Sequence, residues 1–307
     1  MSDRLVTRAP DGTVFDPASN KNVVYLAQDA VVTIGYSGAA YMYRTPTDQW
    51  VVETLTGLPL AGSGPRGSIA MHFGRRQRAL DIGRSVEMLT NRCSTWWKLF
   101  QWKIQQPPQF MIAGWQRGRR RWRPILWSIK YDRRFDVYRR EQRYPRHAWA
   151  EGRCDLAVVP QGVPILQDEW QDFVQRFRPQ WPPDEMEQAF VSVIRSAARY
   201  IPQIGPDCMS ILIYPPHAAP VARVRYLPVT QATFIEDIVS SPPIAIPAGF
   251  SPWLLTLGMV LPPSLMVTGP MSAVCGDYHV ILEAPEPTSD SPLKFTMMSQ
   301  HRPEQLR

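Results

Sequence analysis

Apolar positions along this chain follow two rhythms, and the changes between them mark its elements. NVVYL (22–26) is a continuous apolar run. AVVTIGY (30–36) is a second run, rich in β-branched residues, and Gln28-Asp29 between them makes a turn. The pair therefore reads as an antiparallel hairpin. Earlier, RLVTR (4–8) and TVF (13–15) flank Pro10-Asp11-Gly12, another strand–turn–strand signal. After Tyr36 the spacing lengthens. Thr45-Pro46-Thr47-Asp48 reads as a helix start, with Thr45 as N-cap, Pro46 in the first turn and Asp48 near the positive end of the dipole. Trp50, Val51 and Leu55 supply an apolar stripe before Gly57, so a helix is expected over 45–56. Val86, Leu89, Cys93, Trp96 and Trp97 share one helical face and predict a helix over 84–102, stopped by Pro107-Pro108.

Three strand patterns follow at 110–115, 123–131 and 135–143, with a fourth at 147–152. Two helices are expected at 162–178 and 183–200. The second opens on Asp184 and Glu185 and lines up Met186, Phe190, Val193, Ile194 and Ala197. Gly205-Pro206 breaks the chain before a strand at 209–214. Beyond Pro215-Pro216 come short apolar pieces among prolines, with 276–283 the clearest strand. The order strands, helices, strands, helices, strand predicts an α+β fold: a four-layer αββα sandwich of two antiparallel sheets. The expected division is 1–214 for this domain and 215–307 for a proline-rich C-terminal extension of short strands and loops.

Composition narrows the classes. With 44% hydrophobic residues among 307, a sizeable core is available and global disorder is excluded. Cys93, Cys154, Cys208 and Cys275 are far apart and form no C-x-x-C pair, which argues against a zinc site or a disulfide scaffold and fits a reducing compartment. His72, His147, His217, His279 and His301 are scattered, so no metal site is expected. MSDRLVTRAP has no apolar signal-peptide core, and the apolar run near 253–261 is too short to span a bilayer. A cytoplasmic protein with no membrane partner is the expectation. Gly62, Gly64 and Gly67 match G-x-G-x-x-G, but no strand precedes them and Pro65 interrupts them, so no dinucleotide or other cofactor is expected.

Charge is local. From Arg117 to Arg153 there are 13 Lys/Arg against 4 Asp/Glu, a net of +9, which leaves about −2 for the rest of a +7 chain. Arg117, Arg119, Arg120, Arg121 and Arg123 form the densest part, around Trp122. This basic patch can meet phosphates, or it can be an exposed hairpin tip or one edge of a subunit interface. No recognisable nucleic-acid motif accompanies it, so a nucleic-acid partner is the less favoured reading.

Four words, in order, resemble the proteasome-like N-terminal nucleophile hydrolase superfamily, which includes proteasome β subunits and HslV-type peptidases. SDRLVT (2–7) is similar to that family's Ala-Asp-x-Arg-x-Thr turn, and NKNVVYL (20–26) to its Lys-Lys-Val strand. IGYSGAAYMYRTPTDQW (34–50) is similar to the strand and small-residue turn before its first helix, and FMIAGWQRGRRRWRPILWSI (110–129) to its Ile-x-Gly-Trp-Asp hairpin. The helix at 183–200 followed by GPDCMSILIY falls where that family has its last long helix and central strand. The resemblance covers about residues 1–214.

It implies a peptidase or amidohydrolase acting on a peptide or amide substrate, often as an oligomer. In that chemistry a terminal Thr, Ser or Cys attacks while its own α-amine takes the proton. By resemblance Asp3 and Lys21 are the catalytic tuning pair, although an ungapped count puts Asn22 at the lysine's place. Ser37 and Gly38 form the oxyanion and substrate turn. Only Met1 and Ser2 precede Asp3, where the family has a whole strand carrying its nucleophile. The chain as given is therefore expected to be inactive. A non-catalytic assembly or binding protein with the same fold, and a basic nucleic-acid-associated module, are the alternatives.

Overall fold

The computed structural model describes residues 2–3, 6–7, 14–16, 21–43, 45–57, 80–101, 107–119, 121–142, 173, 175, 181–214, 222–227, 252–255, 260–261, 271–275, 278–283 and 293–299. It is a mixed α+β structure with two large sheets. The expected strand at 147–152, most of the helix at 162–178 and the glycine loop at 62–67 lie outside the described residues.

Strands are numbered along the chain as β1 (Ser2–Asp3), β2 (Val6–Thr7), β3 (Val14–Asp16), β4 (Asn22–Leu26), β5 (Ala30–Ser37), β6 (Tyr41–Met42), β7 (Thr45–Pro46), β8 (Gln109–Arg117), β9 (Trp122–Asp132) and β10 (Val137–Gln142). They continue as β11 (Cys208–Ile213), β12 (Ala222–Leu227), β13 (Trp253–Leu255), β14 (Val260–Leu261), β15 (Met271–Cys275), β16 (Tyr278–Glu283) and β17 (Leu293–Ser299). The helices are α1 (Thr47–Thr56), α2 (Ile82–Phe100) and α3 (Pro183–Tyr200).

A seven-stranded sheet runs β10-β9-β8-β5-β4-β13-β14, and a six-stranded one β1-β11-β12-β17-β16-β15. Strands from beyond residue 215 thus enter both sheets. Among the described residues the pairing is antiparallel except where β13 lies parallel to β4 with Trp253 opposite Val23. Parallel neighbours need a long connection, and the distance along the chain from β4 to β13 supplies it.

Side chains alternate across a sheet, and the register sorts the faces. Val23, Tyr25, Val32, Ile34, Phe110, Ile112, Ile125, Ile129, Trp253 and Leu255 join one core cluster with the buried stripes of α1 and α2. Fully burying one such side chain contributes roughly 1.5–3 kcal/mol. The alternate positions Val24, Val31 and Leu254 are also buried, so this sheet is covered on both sides. β11 touches β5, and the Trp115 indole N–H donates to the Ile213 carbonyl across the gap at 3.0 Å. Double-sided burial explains why Val23–Leu26 of β4 read as a continuous apolar run.

The helices form much as their spacing predicts, with two shifts. α1 begins at Thr47, with Pro46 in the cap position. Thr45 instead pairs with Met42 in a two-residue bridge. The Thr47 hydroxyl donates to the Ala39 carbonyl at 2.7 Å, tying the helix start back to the β5 exit. Gly57 closes α1, its N–H reaching the Glu53 carbonyl. In α2, Thr90 and Ser94 donate to the carbonyls four residues back, so hydroxyls inside the helix stay satisfied. On α3 the buried positions are Glu187, Val191 and Ala197, with Met186 only half-buried. Of the expected face Ala197 is buried, while Met186, Phe190, Val193 and Ile194 are half-buried. Arg195 anchors this helix through the Pro206 and Leu227 carbonyls at 3.4 and 3.3 Å.

Burial of tyrosines in the first core makes stability depend on alkali. The Tyr25 hydroxyl meets Ser85 Oγ at 2.9 Å. Burial pushes its pKa up to about 12, opposed by the Ser85 hydrogen bond and reinforced by Asp29 and Asp81. Burial also drives Tyr138 upward. A raised folded pKa favours the protonated form. Its stabilisation is whole below the unfolded value near 10 and disappears as pH rises through about 12. The unfolding free energy should fall in that window by up to about 1.4 kcal/mol per pH unit for Tyr25 alone. Circular dichroism melts should show a shallower alkaline slope in Tyr25→Phe. An unchanged slope would remove Tyr25 as a cause.

Candidate functional site

Lys21 immediately precedes β4 and Ser37 ends β5. Because the two strands are antiparallel neighbours, the hairpin brings them together at the end opposite its turn. The Tyr36 N–H donates to the Lys21 carbonyl at 3.1 Å. Asn22 is buried and faces Gly35 in register. A methyl group on Gly35 would sit 3.0 Å from Asn22 Oδ1, so the glycine makes room for that amide. Thr33, Gly35 and Ser37 alternate onto the face turned away from α1 and α2. Among the described residues, neither Thr33 Oγ1 nor Ser37 Oγ has a hydrogen-bond partner, although both atoms are buried. Asp3 is placed by its backbone in β1, opposite Cys208 in the other sheet.

Gly38 has φ +92°, a conformation side chains other than hydrogen rarely adopt. Something does approach it closely. An added Cβ would lie 2.7 Å from the Pro107 carbonyl oxygen and 3.0 Å from Pro108 Cα. The small residue at this strand exit therefore admits the chain's own Pro107-Pro108, which lead into β8. No local signal in the sequence links Gly38 to a proline pair so far along the chain.

The other end of the hairpin holds a network that the sequence shows only as a turn. Asp29 accepts from the Ile82 N–H at 2.8 Å and from Gln116 Nε2 at 2.7 Å. Gln116 Oε1 accepts from Arg123 Nη2 at 2.8 Å, and the Arg117 N–H donates to the Asp29 carbonyl at 2.7 Å. Asp81, the N-cap of α2, accepts from the Arg84 N–H at 2.8 Å. Two carboxylates thus serve the first turn of α2, where unpaired N–H groups and the helix dipole favour negative charge.

The described part of the basic window, Arg117 to Gln142, does not form one surface. β8, β9 and β10 form a meander, so its two turns lie at opposite ends of β9, an 11-residue strand, about 33 Å apart. Arg117, Arg119 and Arg121 are exposed at the β8–β9 turn. Arg123 is half-buried at its root and held by Gln116, and the Arg120 side chain lies outside the described residues. At the far turn the charges pair: Lys130 with Glu141 at 3.3 Å, Arg139 with Asp132 at 3.2 Å, and Arg140 with Glu87 at 3.7 Å.

Cys93 and Cys208 are free thiols and both are buried. Burial raises the Cys93 pKa far above its ordinary value, so it is no nucleophile. Among the described residues there is no group of three His, Cys, Asp or Glu that could hold a metal. No described helix is long and apolar enough to cross a membrane. No protein-family model matches the chain, and no curated protein matches it.

Proposed function

We propose that this chain is a proteasome-like member of the N-terminal nucleophile hydrolase superfamily that acts as an assembly or binding subunit rather than as a hydrolase. The observation carrying the non-catalytic half is the packing of Pro107-Pro108 against Gly38. An oxyanion site needs donors held open toward the place where charge develops, and here the close approach over the turn is made by the protein itself. The four-layer reading is supported by α1 and α2 on one face of the seven-stranded sheet, by β11 across its other face, and by α3 packed on β11. Grouping of Lys21, Ser37 and Gly38 at one strand end supports part of what the resemblance implies, while Asp3, the other member of its catalytic pair, lies in β1 of the other sheet.

The purified chain is expected to leave fluorogenic peptide and amide substrates intact and to sediment at a multiple of its monomer mass. Turnover that disappears in Lys21→Ala would replace the assembly reading with a hydrolase. A monomer without turnover would discard the assembly role.

A further inference from the structure

We infer that the β8–β9 turn is a docking surface for the phosphodiester backbone of single-stranded nucleic acid. The sequence window mixes two environments that the fold separates. From Arg117 to Arg123 there are five arginines and no carboxylate. At the other end of β9, Asp132, Glu141 and Glu87 pair with basic side chains, and Asp136 accepts from the Tyr131 hydroxyl. Among the described residues neither Arg117 nor Arg119 has an ion pair, and both are exposed. Charges about 33 Å apart lie several Debye lengths from each other at physiological salt, so the turn acts as its own field.

The described residues of the turn are tied to one another and to the sheet. The Gly118 N–H donates to the Arg121 carbonyl at 2.9 Å, and Arg117 is tied through its backbone to Asp29. At the root, Arg123 is clamped through Gln116 to Asp29, and thereby to the start of α2. A ligand meeting this turn finds its frame already ordered, which lowers the entropy lost on binding.

The chemistry favours phosphate over a carboxylate-bearing protein. The cations are arginines, and the exposed Arg117 and Arg119 carry planar forks of the kind that bind phosphate oxygens in pairs. Trp122, half-buried, lies directly opposite Arg117 in register. An aromatic beside guanidinium groups offers a base a stacking surface, which an acidic protein face would not use. This surface is at the end of the sheet away from Lys21, Ser37 and Gly38, so it stands or falls independently of the assembly reading.

The test is fluorescence anisotropy of the full chain with labelled oligodeoxythymidylate across a salt series. Binding should weaken with salt, with log K falling about 0.7 per phosphate contact. Arg117→Ser with Arg119→Ser should lower affinity and reduce the slope by about 1.4, with the melting temperature unchanged. Arg133→Ser with Arg134→Ser, at the opposite end of β9, should leave the slope as it was. No binding at low salt, an unaltered slope in the first double variant, or equal loss in the second would overturn the inference. Displacement by poly-glutamate as effective as by unlabelled oligonucleotide would point to an acidic protein partner instead and would also overturn it.

Discussion

Gly114→Ala is expected to prevent the chain from reaching its folded state. Gly114 sits in the middle of β8 with φ +156°, opposite Val32. An alanine Cβ there would lie 2.1 Å from the Val31 carbonyl oxygen and 2.7 Å from Val32 Cα. Both are backbone atoms of β5, the neighbouring central strand, and neither can turn aside as a side chain could. Strained backbone costs on the order of 1–3 kcal/mol, and overpacking a tight site adds roughly 1–3 kcal/mol or more. The sum is a large part of the roughly 5–15 kcal/mol that holds a domain together. Expression of the variant should give insoluble protein, or a chain without a cooperative thermal transition. A soluble variant melting within a few degrees of the parent would show that β5 and β8 are not paired as described.

Asp29→Ala should produce the second-largest loss, about 3 kcal/mol, because two donors lose a charged acceptor at once. The Ile82 N–H at the head of α2 and the Gln116 amide both depend on this carboxylate. Asp29→Asn keeps one acceptor oxygen and should fall between the two. Urea denaturation resolves a difference of this size. Destabilisation in Asp29→Ala no larger than in a surface substitution would mean that α2 is capped by Asp81 alone. Arg123 would become more mobile in the same variant, so a slower-melting hairpin root is not expected.

What the sequence disclosed depended on whether the cause was local. NVVYL gave its own boundaries, because a strand buried on both faces favours consecutive apolar residues, and Val23–Leu26 supply them behind the buried Asn22. The stripe Val86, Leu89, Cys93, Trp96 and Trp97 gave α2 for the same reason, each residue meeting the sheet at helical spacing. Where the cause was distant the reading shifted. Thr45 looks like a cap when only its neighbours are considered, yet Met42 takes it into a bridge and Pro46 holds the cap position. The small residues at 37–40 signalled a close approach without naming what approaches, since Pro107-Pro108 arrive by way of a different strand. The +9 window is a linear sum, and the meander of β8, β9 and β10 sends its described charges to opposite ends of β9. Asp29 gave no sign of its reach, because turn-forming and helix-capping aspartates look alike until the fold brings their partners in.

The parallel contact between β13 and β4 sets an order of events at the ribosome. Val23, Val24 and Tyr25 are made early, yet the strand that covers their outer edge, Trp253–Leu255, emerges only after most of the chain. At roughly 5–20 residues per second the nascent protein spends on the order of tens of seconds with that apolar edge unpaired. Exposed edges of this kind invite pairing with other chains. The β4 edge can be closed from within the chain only after translation has passed Trp253–Leu255.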